Sequence, residues 1–428
     1  MPRNIFVLGL DRLNRSKLES LADSEDYRFY DLLELDKLKH APGYDLDALL
    51  AEARYRLACF EGPVDGIINF WDFPASVLHA VLCREYGLPG PTLETVLRCG
   101  HKGLSRRAQQ KVVPEYVPRF SVFDPFADGP LDQIALERPF WIKPVQSYAG
   151  YLGFRVNTLE EFSQCIATIR ANIGRHAELY AQLLRQVSLD ASLTDITAYR
   201  CIAEELISGK QCTVEGYAYQ GRVQTYGVVD SVRYPNQVSF SRYQYPSALP
   251  GPLQQRLRAI ASTVMRHIGV EHCAFNVEFL YDEGSDRVRL LEINPRISQS
   301  HADLFDKVDG APNHRVLVDL ALGREPRLPS RQGRYNCSTK IFARRFRDAV
   351  VTRAPTAEEI ARAEGLVDDA SVLVPVTEGA RLSQLIEQDS YSYAYAIVYM
   401  GADNGRDLWR AYRRILRALP FQFEPVEG

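Results

Sequence analysis

Apolar positions in the first hundred residues alternate between short continuous runs and stretches with helical spacing. The runs Asn4–Leu10 and Gly66–Phe70 are typical of buried strands. Helical spacing fills the stretches beside them, at Lys17–Leu21, Leu46–Leu57 and Ala75–Tyr86. Because strands that alternate with helices usually form a parallel sheet, residues 1–99 are predicted to fold as a small parallel α/β domain.

The rest of the chain is richer in strands. Short apolar or alternating runs predict strands at Pro139–Pro144, Tyr199–Ile207, Gln211–Tyr219, Arg222–Val229, Ser371–Val376 and Tyr393–Tyr399. Helical spacing predicts helices at Leu159–Val187, Pro252–Ile268 and Arg406–Leu416. The stretch Arg324–Gln332 is rich in Arg, Pro and Gly and is typical of a linker. We therefore expect three further units at residues 100–207, 208–330 and 331–428.

Two strands joined by a turn carry the most informative polar pattern of the chain. Strand residues alternate between faces, so Asn276 and Glu278 share one face of the first strand. In the same way, Glu292 and Asn294 share one face of the second strand. A turn centred near Ser285 places Glu278 opposite Glu292, and Asn276 opposite Asn294. Directly paired Cβ atoms lie about 4.5–5.5 Å apart, so two carboxylates are predicted to face each other at close range.

Two like charges at this distance repel each other, and a hard divalent cation compensates them. Carboxylate and amide oxygens suit Mg²⁺, which completes its shell with water and substrate phosphates. Glu278, Glu292 and Asn294 are therefore candidate ligands of Mg²⁺, or of Mn²⁺ in its place, and the site indicates a nucleotide such as ATP. Arg296 supplies a planar cation for a phosphate or a carboxylate. The alternative is a solvent-facing hairpin with an acidic outer face.

Composition narrows the class of protein. The 428 residues are 46% hydrophobic and 25% charged with a net charge of −3, and this weak charge argues against a nucleic-acid partner that requires a basic face. No run of about 18 apolar residues occurs, so no membrane segment is expected. The eight cysteines, none arranged as Cys-x-x-Cys, favour buried thiols in a reducing compartment. The N-terminus lacks a signal-peptide pattern, so a cytoplasmic location is expected.

The sequence Glu292-Ile-Asn294-Pro-Arg296, preceded by Asn276-Val-Glu278-Phe, resembles the metal-binding hairpin of the ATP-grasp superfamily. Members of this family join a carboxylate to an amine or a similar nucleophile through an acyl-phosphate, and they release ADP and phosphate. The resemblance implies an α/β multidomain fold. Its parts are an N-terminal parallel α/β (pre-ATP-grasp) domain, a two-lobed ATP-grasp core with mainly antiparallel sheets, and a C-terminal α+β domain.

Two lysines resemble the nucleotide-binding lysines of this family. Lys102 lies in the turn that runs from His101 to Arg106, and Lys143 lies near the end of the strand Phe-Trp-Ile-Lys-Pro. The resemblance implies that both lysines contact the ATP phosphates or the adenine edge, where negative charge needs cations beside Mg²⁺. A solvated surface lysine is the alternative for each. An unpaired ammonium in an apolar strand is costly, which favours the functional interpretation for Lys143.

The stretch from Gln146 to Gly153 occupies the place of the glycine loop that covers the phosphates in this family. Backbone amides around Ser147, Gly150 and Gly153 are candidates for phosphate binding. The stretch departs from the family pattern because it contains only two glycines and has two tyrosines. A plain hairpin turn is the alternative.

The strand Glu204-Glu205-Leu206-Ile207 resembles the hinge that carries the adenine in this family. The resemblance implies mainly backbone contacts, from Glu205 and Ile207, between apolar walls. In related enzymes an acidic residue shortly downstream binds the ribose, and that place falls on Gln211 here. An amide binds a hydroxyl more weakly than a carboxylate does. The alternative for the two glutamates is an exposed, charged strand end.

Residues that follow the hairpin line the acceptor pocket in this family. Arg296 and His301 are therefore candidate catalytic residues, and His301 could bind a substrate carboxylate or act as a base. A packed or capping histidine is the alternative for His301. Arg233 and Tyr243 belong to an aromatic and cationic stretch that suggests a pocket rim, with an ordinary surface as its alternative.

Together these features predict an ATP-dependent ligase that joins a carboxylate to an amine, with amino acids or amino-acid-like molecules as substrates. Its expected partners are small molecules, with no nucleic acid and no membrane, and self-association into a homodimer is left open. One alternative is a biotin-carboxylase-like enzyme, although the chain contains no Met-Lys biotin-attachment motif. Another is a non-catalytic nucleotide-binding regulatory protein, which the glycine-poor loop and Gln211 favour.

Overall fold

The structure is a computed structural model that describes residues 1–39, 45–146, 152–184, 198–385, 388–389 and 391–426. Within these ranges the chain forms four β-sheets flanked by helices. Two of the candidate loop residues, Ser147 and Gly150, lie outside the described residues. None of the described helices is both long enough and apolar enough to span a bilayer.

A three-stranded parallel sheet of order β2-β1-β3 opens the chain. Its elements are β1 (Arg3–Leu8), α1 (Arg12–Glu19), β2 (Tyr27–Leu33), α2 (Leu35–Lys39), α3 (Leu46–Ala58), β3 (Gly66–Ile68) and α4 (Ala75–Glu85). Along β1, Ile5 and Val7 belong to one core cluster, whereas Phe6 and Leu8 belong to another. Both faces of the strand are therefore buried, as in parallel sheets generally, and the predicted parallel α/β unit is confirmed.

A four-stranded antiparallel sheet of order β4-β7-β5-β6 follows. Its elements are α5 (Leu93–Gly100), α6 (Lys102–Val112), β4 (Phe120–Phe123), β5 (Phe140–Pro144), β6 (Phe154–Val156), α7 (Leu159–Asn172), α8 (Gly174–Leu184) and β7 (Cys201–Glu205). The prediction of one long helix over Leu159–Val187 is wrong, because the helix breaks at Ile173 and a new one begins at Gly174. Glycine is a weak helix former, so this is where a break costs least.

An eight-stranded antiparallel sheet of order β12-β11-β8-β9-β10-β13-β16-β15 forms the largest part of the molecule. The elements from residue 210 onward are β8 (Lys210–Tyr219), β9 (Arg222–Arg233), β10 (Phe240–Tyr245), α9 (Gly251–Ile268), β11 (Cys273–Asp282), β12 (Arg287–Asn294), α10 (Ala302–Asp309), α11 (His314–Ala321), β13 (Cys337–Arg345), β14 (Ala349–Arg353), α12 (Ala357–Glu364), β15 (Ser371–Leu373), β16 (Tyr393–Ala402), α13 (Gly405–Ala418) and β17 (Gln422–Pro425). A separate pair, β14 and β17, is also antiparallel. The mainly antiparallel character predicted for the second half is confirmed.

The large sheet continues across the boundary predicted at residue 330. β10 pairs with β13, where Tyr243 lies opposite Lys340. The predicted linker Arg324–Gln332 contains no helix or strand and runs outside this sheet. Along the chain, the strand predicted at Ser371–Val376 ends early, at Leu373, and Pro375 cannot donate a hydrogen bond to a continued ladder. The domain boundaries themselves stay a prediction.

One face of the large sheet is apolar and the other is polar. On the apolar face, Val277 and Phe279 of β11 pack with Leu257 and Val264 of α9 in a single core cluster. Because strand residues alternate, Glu278 is turned to the opposite face. The fold therefore buries one side of the sheet and presents the hairpin's polar residues on the other. All eight cysteines are free thiols and five are buried, while Cys59 is exposed.

Candidate active site

The register of the β11–β12 hairpin agrees with the sequence prediction. Asn276 lies opposite Asn294 and Glu278 lies opposite Glu292. The register then shifts, because Phe279 pairs with Leu290, and one residue of β12 is left over as a bulge. Such a bulge disrupts the ladder locally and increases the twist of the strand, and bulges are common beside active sites.

The two opposed glutamates lie in contrasting electrostatic surroundings. Burial, together with the charge of Glu292, raises the pKa of Glu278 to about 7. Burial acts in the same direction on Glu292, but the charges of Lys102 and Lys143 outweigh it and hold the pKa of Glu292 below its ordinary value. Lys102 Nζ lies 3.1 Å from Glu292 Oε1. The pair therefore has one carboxylate that two lysines support and one, Glu278, that is less compensated, which suits an added cation.

Amide groups surround the less compensated carboxylate. Gln211 Nε2 donates to Glu278 Oε2 at 2.8 Å, and Asn294 Nδ2 lies 3.5 Å from Glu278 Oε1. Asn294 Nδ2 also donates to Asn276 Oδ1 at 3.0 Å. The described residues contain no cluster of three acidic, histidine or cysteine groups that could enclose a metal. Two carboxylates and one amide fit Mg²⁺, which keeps water and phosphate among its ligands.

Lys143 has the partner that its apolar strand requires. Its Nζ lies 2.7 Å from Glu204 Oε2, and Arg106 Nε lies 2.6 Å from Glu204 Oε1. Burial favours the protonated acid, yet the two cations outweigh it and lower the pKa of Glu204 to about 2. Burial lowers the pKa of Lys143, while the carboxylate of Glu204 acts against this shift. The structure thus brings together two residues that the sequence placed separately in the nucleotide site.

Arg106 joins the two halves of the cleft. Its side chain is 4% exposed, and besides Glu204 of β7 it bonds to Gln109 Oε1 at 2.8 Å. It also donates to the carbonyl oxygens of Leu290 and Leu291 in β12, at 3.0 and 2.8 Å. These carbonyls belong to the bulge directly before Glu292. No role for Arg106 followed from the sequence, although it stands one helical turn after Lys102.

The remaining hinge residues occupy varied positions. The side chain of Glu205 points away from Glu204 and accepts from Arg119 Nε at 2.9 Å and Arg289 Nε at 3.4 Å. Leu206 is exposed and Ile207 is partly buried. Their predicted adenine contacts stay predictions. Gly153 is partly buried and lies directly before β6.

Gln211 lies deep in the cleft. Its side chain is buried and bonds on one side to Glu278, as described above, and on the other to an Nη of Arg233. Arg233 also stacks on the ring of Phe240, with its Cζ 5.2 Å from the ring centroid. Gln211 therefore links Arg233 to the candidate metal site. The ribose contact predicted for Gln211 is a separate contact, and it stays a prediction.

Arg296 is held by a residue of the N-terminal domain. Its Nε and Nη2 donate to the two carboxylate oxygens of Asp72 at 2.6 and 2.7 Å, and its Nη1 donates to the Ile297 carbonyl at 3.1 Å. Burial opposes the charge of Arg296, but Asp72 outweighs it and raises the pKa of Arg296 above its ordinary value. Asp72 follows β3 and was not identified from the sequence. The N-terminal domain therefore helps to orient a candidate catalytic cation.

Two cavities meet at this Arg296–Asp72 pair. One has a volume of about 300 Å³, and its walls include Trp71, Gln211, Ser231, Tyr243, Ser298 and His301. The other has a volume of about 270 Å³, and its walls include Gly100, Lys102, Gln146, Tyr180, Glu292 and Asn294. Both are also lined by Asp72, Glu278 and Arg296, which form the wall that they share. We call the first the His301 cavity and the second the Lys102 cavity.

The Lys102 cavity contains an unused acceptor. Gln146 is buried, and its Oε1 has no hydrogen-bond partner among the described residues. An orphaned buried acceptor in a cavity wall is available to a ligand that donates a hydrogen bond. His301 is likewise buried, and its imidazole lies between Glu215 and the ring of Tyr243. Glu215, too, was missed from the sequence.

The central part of the chain is similar to a known domain family. Residues 136–302 match the family model described as an ATP-grasp domain, a span that includes Lys143, Glu204, Gln211, Glu278, Glu292 and His301. The carbamoyl phosphate synthase large chain of Rubrobacter xylanophilus is 26% identical over 255 residues, which cover 57% of this chain and 21% of that protein. The chain spans between 6% and 21% of the length of the curated relatives that it matches.

Solved structures show the same fold over nearly the whole chain. The L-amino acid ligase of Bacillus licheniformis superposes with a TM-score of 0.72 at 15% identity, covering 99% of both chains. The biotin carboxylase of Campylobacter jejuni superposes with a TM-score of 0.65 at 14% identity, covering 98% of this chain and 92% of that one. At these identities the likeness shows the fold alone, and it confirms the multidomain α/β fold expected from the sequence.

Proposed function

We propose that this chain, of which residues 136–302 match the ATP-grasp domain, is an ATP-dependent ligase of that superfamily that joins a carboxylate to an amine through an acyl-phosphate. The observation that carries the proposal is the direct pairing of Glu278 with Glu292 beside two cavities that share a wall. A reaction of this kind needs one space for phosphates and one for the acceptor, adjoining at a metal site. The two cavities meet this need.

The Lys102 cavity suits the phosphate end of ATP. Mg²⁺ would be held there by Glu278, Glu292 and Asn294, and when bound it neutralises phosphate charge. Lys102, paired with Glu292, and Lys143, paired with Glu204, add fixed cations on the lysine side of the cleft. Point charges of this kind stabilise the charge that develops on a transferred phosphoryl group.

The His301 cavity suits the organic substrates. Arg296 lies in the shared wall, so its guanidinium can face a substrate carboxylate on one side and phosphoryl oxygens on the other. The walls of the His301 cavity carry a positive charge from Arg296 and a negative charge from Asp72, beside the aromatic rings of Trp71 and Tyr243. A pocket of this composition fits a zwitterion, and we propose amino acids or amino-acid-like molecules as substrates. The L-amino acid ligase of the same fold supports this choice.

In the proposed reaction, a carboxylate oxygen attacks the γ-phosphorus of ATP, the bond from that phosphorus to the β–γ bridging oxygen breaks, and ADP leaves. The resulting acyl-phosphate is attacked by an amine, which forms the amide bond and displaces phosphate. The residues of this chain bind and orient the reactants and neutralise charge. Exclusion of water protects the labile acyl-phosphate until the amine arrives.

The direct test supplies ATP, Mg²⁺ and pools of the twenty standard L-amino acids, and measures phosphate release and new amides by mass spectrometry. We expect at least one pool to stimulate phosphate release and to yield an amide. A separate reaction with bicarbonate as the only acid identifies carboxylase-type use of ATP. Absence of both amide and stimulated phosphate in every pool would contradict the ligase proposal.

The Arg296–Asp72 pair gives a prediction for the same assay. Asp72→Asn removes the charge that orients Arg296 and leaves at most one strong hydrogen bond between them. A charge-assisted hydrogen bond contributes about 1.5–3 kcal/mol, so kcat/KM for the carboxylate is expected to fall by roughly tenfold to a hundredfold. The measurement is the substrate dependence of phosphate release in the variant and the unmodified protein.

A matched control is Asp26→Asn, which changes an exposed aspartate in the same N-terminal domain. This variant is expected to keep the unmodified kcat/KM. If Asp72→Asn behaves like the control, Arg296 does not depend on Asp72 for its orientation, and the role given to this pair is wrong.

A further inference from the structure

A wholly buried carboxylate lies behind the His301 cavity. Glu215 of β8 is 0% exposed. Its Oε1 accepts from His301 Nδ1 at 2.7 Å and from the Ser298 backbone N–H at 3.3 Å. Its Oε2 accepts from Tyr226 Oη at 2.7 Å and from Asn313 Nδ2 at 3.2 Å. The carboxylate is therefore surrounded by donors on both oxygens.

The hydrogen bonds of Glu215 are all bonds that its carboxylate accepts. Each contact is a hydrogen bond donated to an oxygen, and such bonds stabilise a carboxylate more than a protonated acid. A buried charge is costly unless it is paired. Among the described groups bonded to Glu215, only His301 can take up a positive charge. The carboxylate of Glu215 is therefore placed to hold and orient the imidazole of His301.

His301 also lines the cavity, and its two ring nitrogens have different surroundings. Nδ1 is occupied by Glu215, which fixes the proton of the neutral ring on that atom and leaves the lone pair on Nε2. The described residues provide no hydrogen-bond partner for Nε2, and the imidazole forms part of the cavity wall. The ring of Tyr243 packs edge-on against the imidazole, with centroids 5.1 Å apart, and limits its rotation.

We propose that His301 accepts the proton of the amine in the amide-forming step and that Glu215 is its positioning residue. The inference rests on the proposed function and specifies its second half-reaction. The amine nitrogen forms a bond to the carbonyl carbon of the acyl-phosphate, and one proton passes from that nitrogen to His301 Nε2. The bond between the carbonyl carbon and the phosphate oxygen breaks, and phosphate leaves with the electron pair.

The chemistry of an amine requires such a group. The amine nitrogen gains a fourth bond when it attacks the carbonyl carbon. Unless it then loses one of its protons, it carries a positive charge and cannot form a neutral amide. A neutral imidazole can accept that proton, and a general base of this kind contributes about 10²–10⁴-fold to a reaction rate. The neighbouring carboxylate of Glu215 holds the reactive tautomer and stabilises the imidazolium that forms, as in other carboxylate–histidine pairs.

Other charged or titratable groups face His301 or its cavity. Tyr226 of β9 and Tyr243 of β10 surround the Glu215–His301 pair, and Lys340 of β13 bonds to Ser300 Oγ at 3.0 Å. Asp72, Glu278 and Arg296 line the far side of the cavity. Glu215 is the one of these acids that contacts His301 directly. Among these acids, Glu215 is therefore the one on which amide formation is expected to depend most strongly.

Hydroxylamine distinguishes this role from a structural one. It is a nucleophile that is already uncharged at neutral pH, so it captures an acyl-phosphate as a hydroxamate with little need for a base. The test uses the amino acids that form an amide with the unmodified protein. Rates of amide and hydroxamate formation are then measured for His301→Asn and Glu215→Gln at saturating ATP and Mg²⁺.

We expect His301→Asn to lower amide formation by about 10²-fold or more and to lower hydroxamate formation far less. Glu215→Gln is expected to lower amide formation by at least about tenfold, because it removes the group that holds the tautomer. The amide-to-hydroxamate ratio should therefore fall in Glu215→Gln and fall further in His301→Asn.

Equal losses of amide and hydroxamate would overturn the inference, because a purely structural defect lowers both products together. His267→Asn, an exposed histidine on α9, is the matched control and should keep both rates. Failure of the proposed function has a different signature: the unmodified protein would then form no hydroxamate with any amino acid. A variant that does not fold is recognised by its thermal unfolding. Glu215→Asp, which keeps the charge but shortens the side chain that contacts His301, then replaces Glu215→Gln: a lowered amide-to-hydroxamate ratio relative to the unmodified protein supports the inference, and an unchanged ratio opposes it.

Discussion

Glu292→Gln is expected to lower ATP-dependent turnover by about 10³-fold. The substitution keeps the size of the side chain and can keep a hydrogen bond to Lys102, which now lies 3.1 Å from Glu292 Oε1. It removes the negative charge that pairs with Glu278 to form the proposed cation site. Loss of a group that stabilises developing phosphoryl charge commonly costs 10²–10³-fold, and loss of the metal adds to this. The measurement is phosphate release and amide yield at saturating ATP across a range of Mg²⁺ concentrations.

The same hairpin offers a control. Glu283 stands in its exposed turn, where its carboxylate is 69% exposed and pairs with Lys210. Glu283→Gln changes charge by the same amount at the far end of the hairpin and is expected to leave turnover unchanged, since such surface pairs contribute little. Unimpaired turnover in Glu292→Gln, with the control also active, would show that the metal assignment is wrong.

The hairpin register could be predicted from the sequence because it depends on local rules. Side chains alternate with a period of two, and the position of the turn fixes which residues face each other. These rules predicted the pairing of Glu278 with Glu292. They did not predict the bulge at Leu291, next to this pair. The carbonyls of Leu290 and Leu291 are bonded by Arg106 of α6, and such a contact between distant elements cannot be inferred from the local pattern of the hairpin.

Residues missed from the sequence are joined by tertiary packing over long separations. Asp72 contacts Arg296 across 224 positions, and Glu215 contacts His301 across 86. Neither Asp72 nor Glu215 belongs to a recognisable motif, and an isolated acidic residue is more often on the surface. Lys143 is an intermediate case. Its apolar strand indicated that a partner must exist, but only the pairing of β5 with β7 identified Glu204.

Strands with mixed patterns were also missed. β10 has the sequence Phe-Ser-Arg-Tyr-Gln-Tyr and β13 begins Cys-Ser-Thr-Lys, so neither shows an apolar run. Both lie in the large sheet beside the cleft, where Tyr243 lines the His301 cavity and Lys340 bonds to Ser300. A strand that carries pocket residues departs from the alternation of an ordinary half-buried strand. The functional surface is thus the part of this fold that hydrophobic patterning predicts least well.

The Glu204 network leads to the largest expected effect on stability, in the variant Arg106→Met. Methionine fills similar space but leaves Glu204 with Lys143 alone and removes donors from the Leu290 and Leu291 carbonyls. Removing one partner of a buried ion pair typically destabilises by about 3–5 kcal/mol, and a loss of that size is expected here. The measurement is the free energy of unfolding in urea at pH 7.

Arg119→Met is the control for this effect. Arg119 pairs with the adjacent glutamate, Glu205, but its side chain is 74% exposed. An exposed ion pair contributes at most about 1 kcal/mol, so this variant should remain close to the unmodified protein. Equal losses in Arg106→Met and Arg119→Met would contradict the role given to the buried network.

Acid should reduce the difference between Arg106→Met and the unmodified protein. The pKa of Glu204 is lowered from 4.5 to about 2, so its ionisation stabilises the folded state fully above about pH 4.5 and progressively less as the pH falls toward 2. This shift corresponds to a stabilisation on the order of 3 kcal/mol. In Arg106→Met one of the two cations that lower this pKa is absent, so less stability remains to be lost. The free energies of unfolding of Arg106→Met and of the unmodified protein should therefore converge between pH 5 and pH 3. A constant difference over that range would mean that Arg106 acts through its carbonyl contacts rather than through the charge of Glu204.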